Sequence, residues 1–399
     1  MPYTAALSTH PVSSHATGEL IGQVIEEVGS HPDVAILLAT PGHAGALEDV
    51  GEAVRRLLGP TLLIGATAPA LAGQGADERG GPAMGLWAGI TGPIQPIHLP
   101  GPVTPPPFPV GGAVVIGVGL APGDEEELLG ALSGPPFGGR AVGALSSGGP
   151  LLIDDRRLGV GAVGVAFGPG VRFEAVTATD WRPIGPEIAV TQSDTARGLV
   201  LGLDGLPALE RLRRLASDEV PAEEIGWINR RLGIGPEEGP GGSDGADPSA
   251  PLDPAASVVE VRGGDRSNGA IAAGAFAPGS RVHFWVGGDP ETGLLRALGE
   301  RHADSVVVFT ADPASRGYAP AGELAGLDGA PTPTTRLPGN PPVGGAALPT
   351  DAPIIADALG LDRVLGLVAP TQIGPVGGRL RLGRSHVTMA LLSDPSAPP

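Results

Sequence analysis

Two short segments set polar groups inside rigid Gly/Pro frames, a setting in which backbone can approach a ligand closely. The first is Asp180-Trp181-Arg182-Pro183-Ile184-Gly185-Pro186; the second is Gln372-Ile373-Gly374-Pro375-Val376-Gly377-Gly378-Arg379. The Arg182 guanidinium can clamp a carboxylate through two parallel N–H bonds, and Trp181 can supply an apolar wall. Gln372 and nearby backbone N–H groups can orient a small polar molecule. The same residue types also suit loops shaped for packing, with Arg182 in an internal salt bridge.

Other patterns carry less. Gly159-Val160-Gly161-Ala162-Val163-Gly164 fits G-x-G-x-x-G, but charged residues 154–157 precede it and strand-like residues follow, so the strand-to-helix setting of a dinucleotide site is missing. Gly117-Val118-Gly119 ahead of the acidic run 124–127 resembles a phosphate cradle, yet acids in a helix's first turn complement its dipole. The eight His residues are scattered; His10 and His15 are the closest pair, and two ligands fall short of a tetrahedral zinc site. Ser146-Ser147-Gly148-Gly149 lacks the G-x-S-x-G elbow and has no assignable His or acid partner.

Composition removes whole classes of chemistry. All 25 basic residues are Arg, which excludes a Schiff-base lysine, a pyridoxal phosphate anchor and a P-loop lysine. The absence of Cys excludes thiol nucleophiles, disulfides and thiolate-bound metals. No catalytic residue, metal site or cofactor is expected. A formal charge of −18 disfavours nucleic acid as a partner, because phosphate binding rests on Lys and Arg displacing counterions. No apolar stretch is long enough to span a bilayer and no signal peptide is evident, so the chain is expected in the cytoplasm. Arg without Lys, beside 66 Gly and 45 Pro, suits a GC-rich, actinobacterial genome.

The elements that must position these groups are read from periodicity. Leu20, Ile21, Val24, Ile25 and Val28 share one helical face, and Leu47, Val50, Val54 and Leu57 form the stripe of a second helix ended by Gly59-Pro60. Apolar runs such as Val34–Ala39, Thr61–Ala66, Ala113–Val118 and Ser305–Phe309 read as buried strands. Further helices are expected at 207–216 and 222–232. Helices alternate with strands at first and hairpin-like pairs follow, so the fold class is α/β, with mixed, sandwich-like sheets flanked by helices in two parts. Residues 236–257, rich in Pro, Gly, Asp and Ser, read as a flexible linker between domains at 1–235 and 258–394. A disordered insert is expected at about 328–353, with a tail at 395–399. Ala166-Phe167-Gly168-Pro169-Gly170-Val171-Arg172 echoes Ala275-Phe276-Ala277-Pro278-Gly279-Ser280-Arg281, which suggests a hairpin shared by two repeats.

In order and spacing, the chain resembles the FIST family, an N-terminal FIST part followed by a C-terminal one. The resemblance rests on Ala6-Leu7-Ser8-Thr9-His10-Pro11, Ile64-Gly65-Ala66-Thr67-Ala68, Gly161-Ala162-Val163-Gly164-Val165, Arg182-Pro183-Ile184-Gly185-Pro186, Leu203-Asp204-Gly205-Leu206-Pro207-Ala208 and Ile373-Gly374-Pro375-Val376-Gly377-Gly378. It implies a non-enzymatic sensory module of intracellular signalling that binds small ligands such as amino acids and works with a signalling partner. The candidate ligand-binding residues are Thr67, Trp181, Arg182, Gly185, Gln372, Gly374, Gly377, Gly378 and Arg379. Some relatives bind haem; here that would require His10, His283 or His386, since no thiolate exists. Others act in protein assemblies, which leaves an interaction scaffold with a vestigial pocket as the alternative. The family often has Cys where this chain has Ala66 and Trp181, a Gly-Glu pair where it has Thr371-Gln372, and a His-Gly pair where it has Gly383-Arg384. Gln in place of Glu removes a charge and adds two donors, which changes what that position can recognise.

Overall fold

The computed structural model describes residues 2–73, 76–79, 81–101, 104–147, 149–219, 232–235, 258–261, 263–287, 290–311, 351–376, 379–383 and 386–395. The chain divides into two compact units. Unit 1 comprises residues 1–176, 298–375 and 380–399; unit 2 comprises 177–297 and 376–379. The linker expected at 236–257 lies outside the described residues, as does the helix expected at 222–232 apart from Leu232, which opens a strand instead. The expected insert also lies outside them up to residue 350, whereas Asp351 to Pro353 open a helix.

Unit 1 is a threefold repeat. The first repeat runs β1 (Tyr3–Ser8), α1 (Ser13–Glu27), β2 (Val34–Ala39), α2 (Leu47–Leu58), β3 (Leu62–Thr67), β4 (Ala70–Gly73), β5 (Ala76–Arg79) and β6 (Met84–Gly89). The second runs β7 (Ile94–Leu99), β8 (Gly112–Val118), α3 (Pro122–Ser133), β9 (Ala141–Ser146), β10 (Leu151–Ile153), β11 (Arg156–Leu158) and β12 (Gly161–Phe167). The third opens with β13 (Arg172–Ala178), where unit 2 is inserted.

Unit 2 contains β14 (Trp181–Asp194), β15 (Leu199–Leu203), β16 (Leu206–Pro207), α4 (Ala208–Arg214), β17 (Leu232–Gly235), β18 (Val259–Glu260), β19 (Gly264–Asp265), β20 (Ala270–Ala272), β21 (Arg281–Gly287) and most of α5 (Pro290–Leu298). Its strands order as β18-β17-β21-β14-β15-β20-β19, with β16 on β15. The third repeat then resumes with β22 (Ser305–Thr310), α6 (Asp351–Leu359), β23 (Val364–Val368), β24 (Thr371–Val376), β25 (Arg379–Gly383) and β26 (Val387–Ser393).

The sheet orders state the repeat directly: β1-β6-β2-β3-β10-β11, β7-β12-β8-β9-β24-β25 and β13-β26-β22-β23-β4-β5. In each, a parallel strand pair joined across a helix (β2 with β3, β8 with β9, β22 with β23) is flanked on one side by an antiparallel return strand. On the other side lies a hairpin from a different repeat. The first repeat gives β4–β5 to the third sheet, the third gives β24–β25 to the second, and the second gives β10–β11 to the first. The helical connections return the chain in parallel, as parallel pairing requires.

Alternation of side chains sorts each strand between two cores. Ile36, Val114 and Val307 face a single core shared by the three sheets, together with Trp87, Val165 and Ala390 from the return strands. The opposite face of the first sheet buries Ala35, Leu37 and Leu63 under the apolar stripes of α1 and α2. The second sheet does the same with Val115 and Ala166 under Leu128 and Leu132 of α3. One glycine recurs in register: Gly65 opposite Leu37, Gly143 opposite Val115 and Gly366 opposite Val308. A Cβ on Gly143 or Gly366 would overlap the partner carbonyl, and one on Gly65 would sit 3.0 Å from it.

The α/β class with mixed sheets and a repeat is therefore present, but the suspected echo does not mark the repeat. Phe167 ends β12 and Arg172 opens β13, yet these strands belong to different sheets. In unit 2 the second copy links β20, paired with β15, to β21, paired with β14 and β17. Neither copy forms a hairpin. The local Pro-Gly turn is real, but a turn alone does not choose the strand's neighbour.

Candidate functional site

Among the nine sequence candidates, Thr67, Gln372 and Gly374 belong to unit 1, and Trp181, Arg182 and Gly185 to unit 2. Gly377 and Gly378 lie outside the described residues, as does the side chain of Arg379, whose backbone opens β25. In unit 2, Trp181 begins β14 opposite Gly287 and is 2% exposed, packed with Trp285 and Val258. It is therefore a core side chain and not an open wall. Arg182 follows, half-buried opposite Val286. Gly185 has φ +67° in the irregular stretch where β14 shifts register against β21, a left-handed backbone that suits glycine.

In unit 1 the carboxyl ends of β3, β9 and β23 are linked in a ring by the three connections that hand over the hairpins. Ala68-Pro69 leads from β3 to β4, which pairs with β23; Ala369-Pro370 leads from β23 to β24, which pairs with β9; residues 147–150 lead from β9 to β10, which pairs with β3. Ligands in sheets with parallel strands commonly gather beyond the strands' carboxyl ends. Here those ends carry Thr67, buried at 2% exposure, and Ser146, whose hydroxyl donates to the Thr67 carbonyl at 2.8 Å. A Cβ on Gly149 would overlap the Thr67 side chain, so the connection from β9 runs directly against it. Gln372 stands in β24 opposite Ala144 and is fully buried. Its Nε2 donates to the Ala369 carbonyl at 2.6 Å, while its Oε1 has no partner among the described residues. Ser146, dismissed as a nucleophile, thus shares the ring with Thr67 as a structural donor.

A second polar cluster joins the end of β1 to the start of α1. Ser13 Oγ lies 2.8 Å from His43 Nδ1, and His43 is 1% exposed in the turn after β2. Burial lowers the His43 pKa and proximity to His10 lowers it further, against an opposing contribution from a hydrogen bond with the His10 backbone. His10 and His15 stack with ring centroids 4.7 Å apart, and His10 Nδ1 accepts the Val12 N–H. Thirty residues separate Ser13 from His43, and no sequence motif links them. His283 lies in β21 and His386 just ahead of β26, each 7% exposed. Among the described residues, no group of three or more His, Asp or Glu side chains is placed to hold a metal ion.

An open concavity of about 520 Å³ lies between α2 and the β10–β11 turn, lined by Glu48, Glu52, Arg55, Arg56, Asp154 and Asp155. Its charges pair loosely with one another, as in Arg55 with Asp155 at 3.8 Å, both well exposed. It contains none of the sequence candidates. No described helix is long and apolar enough to cross a membrane.

Residues 33–206 match the family model of the FIST N domain, which belongs to a group of sensory signal-transduction domains. That span runs from β2 to the start of β16, so it contains the second repeat whole and the first without β1 and α1. The C-terminal FIST part expected from the resemblance has no such match. The chain is 27% identical to the uncharacterized protein Rv0628c of Mycobacterium tuberculosis (strain ATCC 25618 / H37Rv) over 428 residues, covering 97% of this chain and 98% of the relative. It is 26% identical to the uncharacterized protein Mb0898c of Mycobacterium bovis (strain ATCC BAA-935 / AF2122/97) over 441 residues, covering 97% of each. The chain is thus similar along almost its whole length to mycobacterial proteins, and over residues 33–206 to a sensory domain.

Proposed function

We propose that this protein is a cytoplasmic small-molecule sensor that binds rather than transforms its ligand and reports occupancy to a signalling partner. The reading is carried by the strand-end ring of unit 1, where Thr67 and Ser146 close the parallel strands β3 and β9, and Gln372, near the start of the antiparallel β24, has an Oε1 without a partner among the described residues. Two of those strand ends lie within the span that matches a sensory domain. FIST domains are thought to bind small ligands such as amino acids, which makes amino acids and their close relatives the first class to test.

A ligand that binds only the native state raises its melting temperature by mass action. A thermal-shift screen of the full chain against amino acids and related metabolites should therefore yield at least one saturable stabiliser. Flat curves across the screen would remove the sensor reading and leave a protein-interaction scaffold, to be sought by pull-down.

A further inference from the structure

The threefold repeat presents one inward-facing position three times. Counted from the recurrent glycine, Leu71 pairs with Leu367, Leu151 with Ala66 and Gln372 with Ala144, each partner being the residue after that glycine. Leu71 and Leu151 fill the shared core, and Gln372 is as fully buried as they are. Two of three equivalent positions are thus leucine and the third is an amide.

The third repeat carries other inward polar residues, and they show what a structural one looks like. Ser305 stands where the first repeat has Val34; it accepts the Trp87 indole N–H at 2.8 Å and donates to the Arg363 carbonyl at 3.0 Å. Thr388 donates to the Gly143 carbonyl at 3.3 Å. Gln372 is different. Its Nε2 is used, and exchanging N and O would set the oxygen against the Ala369 carbonyl, so the orientation is fixed by that bond. Among the described residues the oxygen is left as a buried acceptor without a donor, an arrangement that costs stability unless something occupies it. Pro69 and Pro370 in the adjoining connections are exposed, so the position lies just beneath the surface.

Resting on the sensor reading, we propose that Gln372 is the recognition residue of a ligand site beneath the strand-end ring, and that its ligand is a small neutral molecule offering an N–H or O–H donor, a carboxamide or a polyol. A neutral donor suits this place better than an ammonium group. The inward positions that pair with it or repeat it, including Ala66, Ala144 and Leu151, are apolar, and a cation set against them would lose its hydration.

The test compares the full-length protein with Gln372→Leu, which restores the residue used at the two equivalent positions, by thermal shift and calorimetric titration. The probes are acetamide, nicotinamide, glutamine, glycerol and erythritol, with glycine and ammonium chloride as charged comparisons. Without ligand, Gln372→Leu should melt within about 2–4 °C of the parent, because it removes the unpaired Oε1 and, with the amide, the donor to the Ala369 carbonyl, two effects of opposite sign. At least one amide or polyol should stabilise the parent, and its affinity should fall about tenfold or more in Gln372→Leu, the scale expected for loss of one buried hydrogen bond. A melting temperature lower by more than about 8 °C would exceed the loss of the single Ala369 bond, make Gln372 structural and overturn the proposal. A ligand held equally by both proteins would also overturn it while leaving the sensor reading intact, and a parent that responds to no probe of any class would remove both.

Discussion

At the scale of single residues, buried polar atoms separate packing from function. His43 is nearly inaccessible, and burial holds its ring neutral below the usual histidine pKa. A histidine whose folded pKa is depressed contributes stability that is complete above its unfolded pKa of about 6.5 and is lost as pH falls through that value, because the unfolded chain then takes up the proton first. Unfolding by denaturant at pH 7.5 and pH 5.5 should therefore show a loss of stability on acidification that is smaller in His43→Gln. An equal loss in both proteins would mean that other groups govern the acid response. Gln372 was legible as a candidate because an amide among Gly and Pro in an otherwise apolar stretch invites a question. Trp181, marked by the same reasoning, is a core residue paired with Trp285, since residue type alone cannot tell a pocket wall from a packed ring. The Ser13–His43 contact was illegible for a different reason. It depends on β1 and β2 both flanking β6, which no local pattern reports.

At the scale of elements, hydrophobic periodicity located most strands and both early helices, because alternation and the 3.6-residue stripe are local properties. What periodicity could not supply was the destination of each hairpin. The β10–β11 hairpin leaves the second repeat and completes the first sheet, fixed there by the register of Leu151, Leu152 and Ile153 on Ala66, Gly65 and Ile64. Its turn residue Asp154 locks the exchange: its backbone N–H donates to the Leu63 carbonyl at 2.7 Å, and its carboxylate accepts the Leu63 N–H at 3.1 Å. Asp154 also holds φ +51°, a conformation that Asn and Asp tolerate better than most residues. Asp154→Ala should cost about 1–3 kcal/mol by combining a lost hydrogen bond with left-handed strain. Asp154→Asn, which keeps an acceptor and tolerates the backbone, should cost clearly less. Chemical denaturation of the two variants checks the order, and equal losses would show that the carboxylate's charge, not the turn, is what matters.

At the scale of the whole molecule, the exchange of hairpins makes each repeat of unit 1 depend on another. The sensory-domain match ends at residue 206, and a linear reading would treat that segment as a module able to fold by itself. The sheet orders argue otherwise: residues 1–206 contain β4–β5 without β22, β23 and β26 to receive it, and β8–β9 without the β24–β25 hairpin that covers its edge. The shared core would also lose Val307, Phe309, Leu365 and Leu367, exposing apolar surface on the two remaining sheets. A chain ending at residue 206 should therefore lack a cooperative thermal transition and bind a dye specific for exposed apolar surface, whereas the full chain should give a sharp melt. A fragment that melts cooperatively would mean that the first two repeats close on each other without the third. In the intact chain, the carboxyl-terminal segment supplies one sheet's return strand and parallel pair, another sheet's hairpin, and Gln372. A ligand held at Gln372 would therefore bear on the strand through which the third repeat grips the second.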